Sequence, residues 1–167
     1  DLFRGRPQRF VLPLKTSYKS KSVNNLVNLS YTTAEAFADG KNEVYLKPQK
    51  ICDVGCETPT IFYEYYNGKK YRYFYAITSD VDDPVSSGQI YKVDTYTGKV
   101  LSWSEPNVYC AEPMFVPNPT CINEDDGVLI SSMIKGSPQV TYTGLIVLDA
   151  RDMTELGRAE FELNGPA

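Results

Sequence analysis

Ile90-Tyr91-Lys92-Val93-Asp94 and Leu145-Ile146-Val147-Leu148-Asp149 are the two stretches on which the fold turns, because one is a displaced copy of the other. Each is a short apolar, β-branched run closed by an aspartate, and the offset between them is 55 (residue 94 onto 149). The same offset lays Tyr73-Phe74-Tyr75-Ala76 on Val128-Leu129-Ile130-Ser131 and Glu57-Thr58-Pro59 on Glu112-Pro113-Met114 without a gap. Each copy reads as a strand opened by a glutamate, a second strand, a third ending in aspartate, a turn and a fourth strand. Four antiparallel strands repeating every 50 or so residues describe the blade of a β-propeller.

Strand chemistry runs along the rest of the chain. Tyr, Val, Ile and Thr are grouped in short runs between Gly, Pro, Asn and Asp. Strands are expected at Arg9–Leu14, Leu26–Leu29, Glu43–Leu46, Thr60–Tyr66, Tyr71–Thr78, Gln89–Asp94, Lys99–Trp103, Met114–Val116, Gly127–Ile134, Gly144–Asp149 and Gly157–Leu163. Thr33–Phe37 is the one place where a short turn of helix is expected. Asn67-Gly68 predicts a type I′ hairpin turn, Tyr96-Thr97-Gly98 another turn, and Glu124–Gly127 an acidic one. The fold class is all-β. At 55 residues per unit, 167 residues supply roughly three blades, whereas propellers close with roughly 4 to 8. The expectation is therefore one part of a single propeller domain over 1–167, with further blades on other polypeptide.

Composition narrows the chemistry. Seventeen basic against 21 acidic residues give a net charge of −4, the opposite of the concentrated positive charge that nucleic-acid phosphates require. No nucleic-acid partner is expected. No apolar run approaches the roughly 18 residues of a membrane-spanning helix. Histidine is absent altogether, so this chain has no imidazole base, nucleophile partner or metal ligand. Cys52, Cys56, Cys110 and Cys121 lack C-x-x-C spacing and read as small residues of a reduced protein, with pairing of Cys52 and Cys56 left open. Asn28-Leu29-Ser30 is read as a chance sequon. The acidic segments Ser79–Pro84 and Asn123–Asp126 lack the alternating oxygen pattern of a calcium loop and are read as solvated turns. The lysines of Lys15–Lys21 are read as a surface loop. Phe62, Tyr63, Tyr65, Trp103 and Phe115 are expected mostly in the core.

The repeated glutamate is the candidate for function. The first strand of a blade lines the axial cavity, so Glu57 and Glu112 would face one central site. There a carboxylate ligates a metal, or accepts the outer N–H of a metal-bound histidine and fixes its orientation. The competing reading is a pair of solvated strand ends.

Ala111–Pro117, Glu124–Leu129 and Leu145–Glu160 resemble the C-terminal region of carotenoid cleavage oxygenases. Arg9–Leu14 and Asn67–Tyr73 resemble their animal branch, which holds β-carotene cleavage enzymes, the retinal pigment epithelium retinoid isomerase and insect carotenoid isomerooxygenases. The resemblance implies a seven-bladed propeller with a non-haem Fe(II) held by four histidines, three of them backed by glutamates. Glu57 and Glu112 match two of these. It places three histidines and the third glutamate before Asp1 and the fourth histidine just past Ala167. This chain would then hold no residue that touches the iron or the reacting atoms, and alone it would be inactive.

In such an enzyme O2 cleaves a conjugated double bond of a carotenoid to give retinal-type aldehydes, in some relatives with trans–cis isomerisation. A retinyl-ester isomerohydrolase of the same fold and a non-catalytic binding module are the alternatives. Thr58 departs from the bulky apolar residue of relatives and, with Phe115, is the candidate for lining the substrate tunnel. The partners implied are the N-terminal remainder of the same protein, a carotenoid or retinoid, and O2. A cytoplasmic location is implied, with peripheral membrane contact through the upstream part.

Overall fold

The computed structural model describes residues 5–14, 18–78, 88–136 and 141–163. Ser79–Pro84 and the first part of Lys15–Lys21 lie outside the described residues. The chain forms two compact units, one of residues 6–53 and one of 54–167 with residues 1–5.

In the first unit, β1 (Gln8–Arg9), β2 (Glu35–Ala38), β3 (Val44–Lys47) and β4 (Gln49–Lys50) pair as two ribbons, β1 with β4 and β2 with β3. Glu35–Ala38 is a strand rather than the expected helical turn. Ala34, Ala36 and Ala38 are all buried, which is the period of two of a strand. The expected strand at Leu26–Leu29 does not form. Asn25 Oδ1 accepts the N–H groups of Val27 and Ala36, so a side chain takes the place of a ladder. Strand Arg9–Leu14 shrinks to β1.

The second unit contains both copies of the repeat. The first is a four-stranded antiparallel sheet of β5 (Glu57–Thr60), β6 (Tyr73–Ile77), β7 (Ile90–Asp94) and β8 (Val100–Trp103), with α1 (Tyr63–Tyr66) between β5 and β6. The other contains β9 (Val108–Cys110), β10 (Met114–Pro117), β11 (Gly127–Gly136), β12 (Thr141–Asp149) and β13 (Glu155–Leu163). Both β9 and β10 pair with β11, so the first strand of this sheet is interrupted.

The 55-residue offset holds at the level of register. Tyr73 opposes Asp94 and Phe74 opposes Val93, while Val128 opposes Asp149 and Leu129 opposes Leu148. It holds in the turns as well. Gly98 N–H donates to Asp94 O at 2.8 Å, and Met153 N–H donates to Asp149 O at 2.9 Å. Both turn residues have positive φ, 72° and 68°. Methionine tolerates this poorly, but its side chain is buried in the core, which offsets the backbone cost.

Two local expectations fail for a physical reason. Thr60–Tyr66 is not one strand, because Tyr66 N–H donates to Phe62 O at 2.9 Å and closes α1. Phe62, Tyr65 and Tyr66 have helical spacing, and their ring centroids lie 4.9–6.0 Å apart. Asn67-Gly68 consequently follows α1 instead of joining two strands. Asn67 has φ −58° and ψ 124° and Gly68 has φ 70°, the signature of a type II turn, closed by Lys69 N–H to Tyr66 O at 2.9 Å.

One apolar core joins the two sheets of this unit. Tyr75 and Ile90 from the first share it with Phe115, Leu129, Met133, Ile146 and Leu148 from the other. Tyr75 stacks on Phe115 with centroids 5.6 Å apart, and its hydroxyl donates to Ala150 O at 3.2 Å. Burial and neighbouring carboxylates push that phenol well above its ordinary range, so it remains the donor. Among the described residues the outer face of the second sheet has no such cover. Ile90 is fully buried, whereas Leu145 at the offset of 55 is 48% exposed, beside exposed Met114, Ile134 and Phe161.

Candidate functional site

Both glutamates sit where the ladder of the first strand is broken. Glu57 opposes Ile77 and Thr60 opposes Tyr75, so the chain takes three steps on β5 against two on β6. The extra residue is a bulge centred on Thr58 and Pro59. Glu112 falls in the interruption between β9 and β10. That gap is tethered: Ala111 N–H donates to Ser132 O at 2.8 Å, and Ser131 Oγ donates to Ala111 O at 2.7 Å. Ser132 stands 55 residues on from Ile77, but it is bonded to Ala111, so the two glutamates share a break in the first strand and not one register.

Glu57, Thr58 and Glu112 are exposed. A carboxylate on an exposed strand irregularity is free to accept a hydrogen bond from a group outside the ladder, such as an imidazole N–H. It does not make a metal site by itself. Among the described residues no group of three or more His, Cys, Asp or Glu side chains is arranged to hold a metal ion.

Phe115 was a candidate for tunnel lining as well as for the core. It is 6% exposed, enclosed by Tyr75 and Phe62, whose centroids lie 5.6 and 5.3 Å away. Phe62 and Trp103 pack against the same core from its margin, while Tyr63 and Tyr65 are exposed. None of the four cysteines is joined in a disulfide among the described residues. Burial pushes Cys110 up to about 11, which leaves it an unreactive thiol near neutral pH.

A charged cluster between the two sheets escaped the sequence reading. Glu124 and Asp125 belong to a turn expected to be solvated, yet both are anchors. Glu124 accepts the backbone N–H groups of Arg72 and Tyr73 at 2.7 Å. Lys92, 4% exposed, donates to Asp125 and to Arg151 O at 2.8 Å, with its ammonium 4.2 Å from the Tyr73 ring centroid. A lysine inside the run Tyr91-Lys92-Val93 was the available signal, since a buried ammonium needs a counter-charge.

Asp94 lies beside this cluster. Burial raises its pKa, but the Arg72 side chain and the N–H groups of Tyr96 and Thr97 outweigh burial and hold it at about 2. Asp149 is also held low, by Arg151. A carboxylate depressed in the folded state stabilises above its unfolded pKa near 4, and that contribution disappears as pH falls through about 2. Urea unfolding at pH 5 and pH 2.5 is expected to show a loss that Asp94→Asn reduces by about 1 kcal/mol, after allowance for solvent screening of its half-exposed arginine. An equal acid loss in Asp94→Asn would show that other carboxylates carry it.

The two repeats, with a glutamate at the ladder break of each first strand, define a propeller-type protein built of successive four-stranded units. Comparison with known proteins specifies it further. The chain belongs to the RPE65 (retinal pigment epithelial membrane protein) family, whose pattern it matches over residues 1–167. Carotenoid isomerooxygenase of Drosophila melanogaster is 52% identical over 149 residues, 89% of this chain and 24% of that protein. Beta,beta-carotene 15,15'-dioxygenase of Rattus norvegicus is 39% identical over 157 residues, 94% of this chain and 27% of that protein. Among solved structures, an apocarotenoid oxygenase variant from Synechocystis superposes with a TM-score of 0.58 at 28% identity, covering 78% of this chain and 27% of that one. The cobalt-substituted Synechocystis enzyme gives 0.57 at 25% identity, covering 82% and 29%. This chain therefore spans about a quarter of the length of these relatives.

Proposed function

We propose that this chain is the C-terminal part of an iron-dependent carotenoid oxygenase that cleaves a conjugated double bond of a carotenoid with O2 to give retinal-type aldehydes. The observation that carries the reading is the placement of Glu57 and Glu112 at breaks in two successive first strands, in a chain 52% identical to a carotenoid isomerooxygenase. Iron, when bound, supplies the centre at which O2 reacts. The role of this chain is to hold two histidines of the remaining polypeptide. Each glutamate accepts the outer ring N–H of one, which fixes its tautomer and raises its basicity toward the metal. Thr58, exposed next to Glu57, borders the substrate path. Phe115 acts from within the core by fixing β10 against Tyr75.

The open face around Leu145 supports a second element of this reading. The same face of the first repeat is covered by the other sheet, so a further blade from the N-terminal remainder covers this one. Closure of that kind removes both an exposed apolar face and a free strand edge. The location that goes with the reading is cytoplasmic, with peripheral membrane contact through the upstream part. No helix among the described residues is long and apolar enough to cross a membrane.

Product analysis of the full-length protein separates the readings. Supplied with O2 and a carotenoid such as β-carotene, it is expected to release retinal-type aldehydes. Retinol from a retinyl ester, with no aldehyde from the carotenoid, would instead establish an isomerohydrolase. Neither product, and no bound iron, would leave a binding module.

A further inference from the structure

We propose that Thr58 is a positioning residue for Glu57, acting through its left-handed backbone and not through its side chain. The inference rests on the reading of Glu57 as a histidine partner. Among the described residues, Asn42, Thr58, Asn107 and Met153 are the non-glycine residues with positive φ. Asparagine visits this region readily, and Met153 occupies the turn position that Gly98 holds in the other repeat. Thr58, at φ 45°, has neither excuse. It is β-branched and precedes Pro59, and each property disfavours that conformation. Such strain persists only where the surrounding structure imposes it.

What imposes it is the bulge. The extra residue between Glu57 and Thr60 has to be absorbed within two positions. One of them is Pro59, whose ring holds φ near −65°, so the left-handed turn falls on Thr58. A left-handed residue reverses the local direction of the chain and so sets the orientation of the residue before it. Glu57 needs this, because it is exposed and is not held within the core. In the second repeat the residue after the glutamate is Pro113, which cannot adopt positive φ. Glu112 is directed by the tethered gap instead, through Ala111, Ser131 and Ser132. Equivalent carboxylates are thus aimed by two different devices, and only the Glu57 device is strained.

The test uses the full-length, iron-loaded protein with Thr58→Gly, Thr58→Asn, Thr58→Val and Thr58→Pro, and Glu57→Gln as reference. Iron affinity by chelator competition and the thermal midpoint are measured for each. Thr58→Gly and Thr58→Asn should raise the midpoint, since both residues accept positive φ, and should leave iron affinity within about threefold. Thr58→Val should match the unsubstituted protein in iron affinity, because the hydroxyl has no part. Thr58→Pro, with φ fixed near −65°, should weaken iron binding by about 10–100-fold, as Glu57→Gln does.

Undiminished iron affinity in Thr58→Pro overturns the positioning role while leaving that of Glu57 intact. Undiminished affinity in Glu57→Gln overturns the reading of Glu57 itself, and the positioning role with it. Should Thr58→Pro fail to fold, the other three decide. Loss of iron from Thr58→Asn or Thr58→Val at an unchanged midpoint would assign the effect to the side chain and end the proposal.

Discussion

Replacing Lys92 with methionine is expected to destabilise this chain by about 3–5 kcal/mol. The substitution keeps the apolar stem and its volume, so the loss is electrostatic rather than a cavity effect. Lys92 is 4% exposed and is the cation that neutralises Asp125, whose side chain is itself mostly buried. Without it, the Asp125 carboxylate and the Arg151 carbonyl lose their partner at the junction of the two sheets. An isolated buried carboxylate costs far more than the pair was worth, because desolvation is no longer offset. Trp103 is the single tryptophan and packs at the margin of the same core, so its fluorescence reports urea unfolding directly. The double substitution Lys92→Met with Asp125→Leu should recover most of the loss, since a well-packed apolar pair replaces a buried ion pair at little net cost. If the double variant is as unstable as the single one, the cluster's contribution is geometric and not a matter of charge.

How far the sequence goes is clear from where it stops. Strand positions from Tyr73 to Trp103 and from Met114 to Leu163 were legible, because apolar alternation and the 55-residue offset both constrain them. Register followed, since Asp94 and Asp149 end their strands with the same turn. Residues 6–53 were read less well. There, Asn25 replaces ladder hydrogen bonds with side-chain ones, and three alanines give too weak a hydrophobic alternation to announce β2. Phe62-Tyr63-Glu64-Tyr65-Tyr66 was misread because aromatic residues favour strands, whereas ring contacts at helical spacing decide. Of the site, the glutamates were visible as a repeat, and the backbone that aims them was not. A bulge, a tethered gap and a left-handed threonine depend on strand partners 15 to 20 residues away, which composition and periodicity do not encode.

The largest functional effect is expected from removing both carboxylates at once. In the full-length protein, Glu57→Gln and Glu112→Gln should each weaken iron binding by about 10–100-fold, and together by about 10²–10⁴-fold. The multiplication follows from the proposed role, in which each glutamate supports a different histidine with no partner in common. Glutamine is nearly isosteric and still accepts a hydrogen bond through its amide oxygen. It removes the negative charge that strengthens the bond and raises the basicity of the imidazole. Both positions are exposed in this chain, so the substitutions should leave the thermal midpoint of the iron-free protein within about 1–2 °C. That separation is the test: chelator competition should report a large loss while iron-free unfolding reports almost none. Parallel losses in both would make the glutamates structural strand ends. A double variant no weaker than either single one would mean that the two carboxylates serve the same ligand, and would contradict their placement on separate blades.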